Sequence, residues 1–580
     1  MRRAAVLIGV SRSGDLPRLE AVLPGIRNMQ SWAREQGFAT VTTLTDAVGR
    51  LPVRAVQDAI AEILRNGTID QLVVYFAGHG VNIGRGEYWL LSDAPAYTSE
   101  AINVEGSAHL ARACGVPHIV FISDACRTAA EGIRMQSVRG TDIFPNEDIG
   151  APNQPVDRFY ACALGSPAFE IRNAQTAADR FEAVYTAVLV EALNGQPEKV
   201  LDWDSDSGSS IGLVRPWPLR DHLEQEVGRR LAMLVPSGEL IQNPDAVITS
   251  PPSTWLSRLV GLPRRPPHRG PAAPPQRPSS LAAVARAAVH DQLWNEPTGP
   301  PTPLITAVER GIPGAGALLD ASERAASGFG PDHFETQCGF KVRGTELVSA
   351  WSPVTAVEIL GPELVRVDLS GGVPATVLLE FDNRTSVTLP ALDGFVAAIT
   401  VEGGELVDVA YEPSANSRRF SEYQGRLDEL RSLRSLISSA TRLGTFRLQG
   451  RDAETVAVRM QVSKGIDPSL ALYAAYAYHE LQSDDRLRKM LGYLTADLGI
   501  ALFDVALLAG AITPRDTGAP VAPMVPMLAQ GWALLDALRV RLPAPVTELR
   551  GHLVPAMWTQ FDATGLDLAR EALHTTGGRL

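Results

Sequence analysis

The chain has 580 residues and a formal net charge of −12, with 45% hydrophobic and 20% charged residues. This length exceeds what one hydrophobic core usually supports, so we expect about three or four domains. The acidic balance argues against general binding to nucleic acid or anionic membranes, which attract basic surfaces. The four cysteines form no CxxC motif. They argue against a disulfide framework or a zinc site and favour a reducing, cytoplasmic environment.

Two apolar stretches need to be distinguished from targeting or membrane segments. The stretch from Ala4 to Val10 is too short for a signal peptide and no small-residue cleavage site follows it, so it predicts a strand. The longest later stretch, Leu498 to Ile512, carries Asp504 in its middle and predicts a buried helix. We therefore expect no membrane association.

Residues 1–260 alternate short apolar strands with amphipathic helices. Strands are predicted near 4–10, 39–44, 72–76, 88–91, 118–122 and 159–164, and helices near 23–36, 53–65, 107–114, 181–193 and 219–234. Such alternation predicts an α/β fold with a doubly wound, mainly parallel sheet.

Two of these strands lead into reactive residues. Strand 72–76 runs into Gly78-His79-Gly80, and strand 118–122 runs into Ser123-Asp124-Ala125-Cys126. Because groups beyond the carboxyl ends of parallel strands line the functional crevice, we expect His79 and Cys126 to lie side by side. An imidazole can take a thiol proton and so create a nucleophile. Either residue alone would more often be a core residue, but the pair at two strand ends favours catalysis.

The same residues carry a family resemblance. The segments from Tyr75 to Gly80 and from Asp124 to Cys126 resemble the two catalytic motifs of the caspase–metacaspase (caspase–hemoglobinase) clan, with His before Cys by roughly 50 residues. The segment from Ala4 to Val10 resembles the first strand of that clan. The resemblance covers about residues 1–260. It implies a caspase-like cysteine endopeptidase.

The resemblance gives each residue a role. Cys126 is the nucleophile, and His79 is the base and later the acid. The backbone N–H groups of Gly80 and Cys126 are expected to form the oxyanion hole, since Gly80 has no Cβ to obstruct a substrate carbonyl.

Specificity is expected to depend on two carboxylates. Metacaspases cut after Arg, less often Lys, with an Asp two positions before the Cys and another in the loop after the first strand. Asp124 and Asp15 match those places, and a carboxylate can bind a guanidinium through two hydrogen bonds. The alternative is that Asp124 caps a helix and Asp15 occupies a turn.

No cofactor is expected, although calcium remains open. Many metacaspases have a second Cys and His-Ser where this chain has Ala125-Cys126-Arg127, so the subfamily and its calcium dependence stay undecided. The acidic run from Asp202 to Gly208 lacks the Gly and Glu positions of an EF-hand loop, which favours an ordinary loop there.

An enzyme that cuts after Arg has candidate self-cleavage sites of its own. They lie in or beside the loop predicted after the Cys126 strand and in a linker, at Arg134, Arg139, Arg158, Arg264 and Arg269. The alternative is that these arginines only keep exposed segments soluble.

The rest of the chain divides by composition. Residues 261–280 form a linker rich in Pro and Arg, 281–415 predict a β-rich sandwich or barrel, and 416–580 predict a helical domain. We expect these parts to bind substrates, or a protein partner that inhibits or activates the enzyme. The family association further suggests a bacterial stress or defence cascade. The competing hypothesis is a catalytically silent caspase-like scaffold whose C-terminal domains bind partner proteins.

Overall fold

The structure is a computed structural model. The structure describes residues 1–67, 69–83, 86–129, 135, 137–146, 154–161, 174–203, 211–234, 244–260, 284, 287–288, 291, 302–312, 314–326, 337–442, 450–512, 520–554 and 556–579. For some of them, including Cys126, it describes the backbone alone.

The N-terminal region is an α/β unit. Its strands are β1 (Arg3–Val10), β2 (Thr40–Thr45), β3 (Gln71–Ile83), β4 (Gly86–Leu90), β5 (Ala101–Asn103), β6 (His118–Ala129), β7 (Val156–Tyr160), β8 (Leu201–Trp203), β9 (Ile211–Val214), β10 (Asp245–Val247) and β11 (Ser257–Val260). Its helices are α1 (Val22–Glu35), α2 (Val53–Arg65), α3 (Val104–Ala111), α4 (Ala174–Leu193) and α5 (Pro216–Leu234).

An eight-stranded sheet organises this unit, in the order β10-β7-β6-β3-β1-β2, with β4 and β5 continuing from β3. Strands β2, β1, β3, β6 and β7 are parallel, and β10 is antiparallel. The chain moves to opposite sides of β1 when it forms β2 and β3, so the strand order reverses between β1 and β3. Crevices in such sheets open at this point, beyond the carboxyl ends of the strands.

Helices cover both faces of the sheet, as the alternation of buried side chains requires. Val73 and Tyr75 pack with α1, α4 and α5 on one face. Val74 and Phe76 pack with α2 and α3 on the other. The predicted α/β fold with a mainly parallel sheet is therefore confirmed.

Two strands are longer than predicted. The sequence pattern ends them at 76 and 122, but β3 continues to Ile83 and β6 to Ala129. The reason is pairing, because β4 adds antiparallel to the far end of β3, with Gly80 opposite Trp89. His79 and Cys126 thus lie within paired strands and not beyond their ends.

A second unit is rich in β structure. Its strands are β12 (Gly339–Arg343), β13 (Leu347–Trp351), β14 (Ala356–Gly361), β15 (Leu364–Asp368), β16 (Ala375–Phe381), β17 (Ser386–Ala391), β18 (Phe395–Glu402) and β19 (Glu405–Pro413). They form a five-stranded and a three-stranded sheet. Two helices precede these strands, α6 (Thr302–Glu309) and α7 (Ala315–Ala326), so the β-rich prediction for 281–415 was wrong at those two segments. Their apolar residues follow a helical period, with Leu304 and Ala307 buried.

The remaining chain is mostly helical, as predicted. It contains α8 (Phe420–Gly425), α9 (Leu427–Arg442), α10 (Gly450–Ser463), α11 (Leu470–Glu480), α12 (Asp484–Leu498), β20 (Ala501–Leu502), α13 (Phe503–Leu508), β21 (Val521–Ala522), α14 (Ala544–Glu548) and α15 (Ala563–Thr576). Its buried residues share one core with the β-rich unit, from Cys338 to Trp558. Within the described part of the chain, helices long and apolar enough to span a membrane are absent.

Candidate active site

The register of the sheet brings the two predicted catalytic residues together. His79 of β3 and Cys126 of β6 are direct partners in a parallel ladder. Neighbouring strands lie about 5 Å apart, so the two backbone positions are adjacent in the sheet. Both lie next to the reversal of strand order, since β1 ends at Val10, opposite Gly78.

Gly78 allows this close packing of strands. A Cβ built there would lie 2.9 Å from the carbonyl oxygen of Val10 and 2.8 Å from the ring of Phe76. Real side chains do not tolerate such contacts with backbone. The glycine before His79 therefore keeps β1 and β3 at their normal separation where the crevice begins.

A backbone carbonyl orients His79. Its Nε2 lies 2.6 Å from the carbonyl oxygen of Pro17, which can only accept a hydrogen bond. Nε2 therefore carries a proton, and in the neutral ring Nδ1 keeps its lone pair. His79 is half-buried, so it is not a core histidine.

The loop that supplies this carbonyl is fixed by the rest of the unit. Asp46 accepts hydrogen bonds from the Ser11 hydroxyl and the Arg12 N–H, at 3.0 and 2.8 Å. The Ser13 hydroxyl donates to the Leu90 carbonyl at 3.1 Å. The Gly14 N–H donates to the Ser92 carbonyl at 3.1 Å. The imidazole is thus held by a loop that is anchored at several points.

Asp124 lies in the sheet beneath this site. It is 2% exposed and accepts hydrogen bonds from Thr186 of α4 and, at 3.3 Å, from the Tyr75 hydroxyl. Burial raises its pKa to about 7, and the two hydroxyl donors offset part of that effect. The carboxyl group therefore ionises near neutral pH and gains most from a cation placed beside it.

The two acidic candidates differ in setting. Asp124 lies inside β6, so the alternative that it caps a helix is wrong. Asp15 lies in an exposed turn of the loop that carries Pro17, as the alternative for that residue expected. The structure does not join the two carboxylates into one described pocket.

The candidate oxyanion residues lie in the same ladder. Gly80 is paired with Arg127 of β6 on one side and Trp89 of β4 on the other. At Gly80, β3 is therefore an interior strand. The assignment of the Gly80 and Cys126 N–H groups to an oxyanion hole remains a prediction.

The candidate self-cleavage residues differ in burial. Arg158 does not lie at the edge of a loop but inside β7, 1% exposed and paired with Glu105 and Glu480. A peptide bond in a central strand cannot enter a protease site without unfolding the sheet, so this prediction was wrong. Arg139 is exposed, whereas Arg134, Arg264 and Arg269 lie outside the described residues.

Several residues of the site carried no recognisable sequence signal. Glu87 of β4 is buried and accepts hydrogen bonds from Ser123 and, at 2.7 Å, from the Trp89 indole. The roles of Thr186 and of the Pro17 carbonyl could not be predicted from the sequence either, since Thr is common in helices and a carbonyl belongs to every residue. Of these four residues, Ser123 alone belongs to the predicted motif Ser123-Asp124-Ala125-Cys126.

Metal ligands were sought among the described side chains. They include no group of three or more His, Cys, Asp or Glu residues that could hold a metal ion. Most of the acidic run from Asp202 to Gly208 lies outside the described residues, so calcium binding there stays untested.

Known proteins resemble part of this chain. Two solved structures are similar to this chain but superpose weakly. The Drosophila initiator caspase Dronc matches with a TM-score of 0.27 and 10% identity, covering 42% of this chain and 78% of that one. Caspase-1 from Spodoptera frugiperda matches with a TM-score of 0.27 and 13% identity, covering 42% and 85%. No curated protein matches. The family model described as "Caspase domain" matches residues 2–203, and this part of the chain is therefore a caspase domain, at the family level that of a cysteine peptidase.

Proposed function

We propose that the protein is a cysteine endopeptidase of metacaspase type that cleaves polypeptides after Arg, and less often Lys, through Cys126 and His79. The observation that supports it most is the pairing of these two residues in adjacent parallel strands. The hydrogen bond from His79 Nε2 to the Pro17 carbonyl adds to this, because it places the ring proton on Nε2 and leaves the lone pair of the neutral ring on Nδ1, the proposed base.

The proposed reaction needs no cofactor. His79 Nδ1 takes the proton of the Cys126 thiol, and the thiolate attacks the scissile carbonyl carbon. The oxyanion forms near the N–H groups of Cys126 and Gly80. When the C–N bond breaks, the imidazolium gives its proton to the leaving amine. Water then hydrolyses the thioester, assisted by His79, and releases the new carboxyl terminus and the thiol.

The preference for a basic residue rests on Asp124. Its buried carboxyl group has a pKa of about 7, so it exists in both forms at neutral pH. A substrate guanidinium would stabilise the ionised form through a charge-assisted pair, which is strong in a desolvated pocket. Asp15, on the loop beside His79, is the second acidic residue of the proposal.

Peptide hydrolysis tests the proposal directly. Fluorogenic peptides ending in Arg, Lys or Asp would be incubated with the protein and with Cys126→Ala. We expect turnover of the Arg peptide, weaker turnover of the Lys peptide, and loss of both in the variant. Equal signals from both proteins would favour the silent scaffold, and turnover of the Asp peptide alone would exclude the acidic pocket.

Self-processing is part of the same proposal. Cleavage after Arg134, Arg139, Arg264 or Arg269 would appear in intact-mass spectra of the wild type but not of Cys126→Ala. A cytoplasmic role in a stress or defence cascade, with a regulatory protein bound to the C-terminal units, rests on the family resemblance.

A further inference from the structure

The C-terminal units pack against the caspase domain next to its site. One hydrophobic core combines Val81, Tyr88 and Leu90 of the caspase domain with residues between 501 and 573. Hydrogen bonds join the same parts, including one of 2.7 Å from the Asn103 side chain to the Ala533 carbonyl. The apolar face around β4 is therefore covered by the distant end of the chain.

Arg550 connects this cover to the segment that follows the Cys126 strand. Its guanidinium is buried and donates to the Arg139 carbonyl at 2.9 Å and to the Tyr88 hydroxyl at 3.1 Å. Gly140 lies directly on the Tyr88 ring, since a Cβ at Gly140 would come within 2.7 Å of it. Arg550 thus clamps residues 138–142 onto β4, and we call these contacts the Arg550 clamp.

The carboxyl end of β4 supports the loop that orients His79. The carbonyls of Leu90, the last residue of β4, and of Ser92 accept the hydrogen bonds from Ser13 and Gly14. Leu16, next to Pro17, packs against the same hydrophobic core. The loop 11–17 and the segment 138–142 therefore both rest on β4.

We propose that Arg550 is a positioning residue for the peptidase site, and that the C-terminal region works as a built-in part of the enzyme. The Arg550 clamp holds residues 138–142 on β4. Because the loop 11–17 also rests on β4, the clamp stabilises the position of that loop. The Pro17 carbonyl of the loop then keeps the His79 ring in its orientation. The proposal rests on the proposed peptidase function for its kinetic effect, but its structural effect can be measured separately.

The test compares Arg550→Met, which removes the donors at similar volume, with Arg550→Lys, which retains one charged donor. Arg541→Met is the matched control, because Arg541 is exposed on the same segment. Hydrogen exchange would be measured on 138–142 and 11–17, together with kcat and KM for the Arg peptide and the melting temperature. We expect faster exchange in both segments for Arg550→Met, a fall in kcat of about tenfold or more with KM nearly unchanged, and an intermediate effect for Arg550→Lys.

Three results would overturn the proposal: unchanged exchange, an equal loss of kcat in Arg541→Met, or a rise in kcat, which would mean that the C-terminal region restrains the enzyme. If Arg550→Met does not fold, Arg550→Lys decides. If the wild type hydrolyses no peptide, the proposed function fails, while exchange still decides whether the clamp holds the two segments.

Discussion

At the scale of single residues, the site combines one oriented imidazole with one buried carboxyl group. His79 is oriented by a backbone carbonyl, which sets the proton on Nε2. Asp124 is enclosed by Thr186 and Tyr75 and holds its proton up to about pH 7. Ionisation of a buried carboxyl group without a cation beside it lowers the stability of the fold. Groups of this kind occur often at functional sites.

The pH dependence of stability should reveal this cost. The folded pKa of Asp124, about 7, lies above its ordinary value of 3.8. Its contribution to the free energy of unfolding is therefore full at low pH and is lost as pH rises toward 7. We expect Asp124→Asn to be close to wild type near about pH 4 and more stable than wild type near about pH 8.

Urea unfolding at both pH values measures the effect, with Asp15→Asn as the exposed control. The same Asp124→Asn variant should lose most of its turnover of Arg peptides. A variant that is less stable than wild type at high pH would contradict the assigned burial cost.

At the scale of elements, the paired strands and their glycine set the geometry of the site. The helix α2 has the predicted bounds, because its apolar residues Val56, Ile60 and Ile63 form one clear face. The extension of β3 was not predictable, since it depends on pairing with β4, and the apolar run ends in Gly78-His79-Gly80. Likewise, the Pro17 carbonyl has no residue-type signal. Local patterns therefore predict the sheet and the neighbouring positions of His79 and Cys126, whereas the other contacts of the site depend on residues that are distant in sequence.

The role of Gly78 can be tested by adding one methyl group. We expect Gly78→Ala to lower the free energy of unfolding by roughly 1–3 kcal/mol, because its Cβ would collide with the Val10 carbonyl and the Phe76 ring. Gly49→Ala is the matched control, since a Cβ there meets nothing within 4 Å. Chemical denaturation measures both variants, and equal stability of the two would argue against a steric role.

At the scale of the whole molecule, a buried charge network links the caspase domain to α11. Glu480 binds Arg158 at 2.7 Å and Arg112 at 3.2 Å, while Glu105 also pairs with Arg158. Without Glu480, this interface would bury two guanidinium groups beside the single carboxylate of Glu105. Glu480 neutralises the excess charge, so the two parts of the chain are electrostatically matched.

Removal of that charge should weaken the association. We expect Glu480→Gln to lower the free energy of unfolding by about 3–5 kcal/mol, the usual cost of breaking a buried ion pair. Glu454→Gln is the control, because Glu454 forms an exposed pair with Arg486 and should cost less than about 1 kcal/mol. Denaturant titration of both variants tests this, and similar small losses would show that the network adds little.

The apolar cover of β4 has a consequence during protein synthesis. Val81, Tyr88 and Leu90 are translated long before residues 501–573, which enclose them. A nascent chain therefore exposes the apolar face of β4 until these later residues emerge. During that interval, the uncovered surface is open to contacts with chaperones or with other chains.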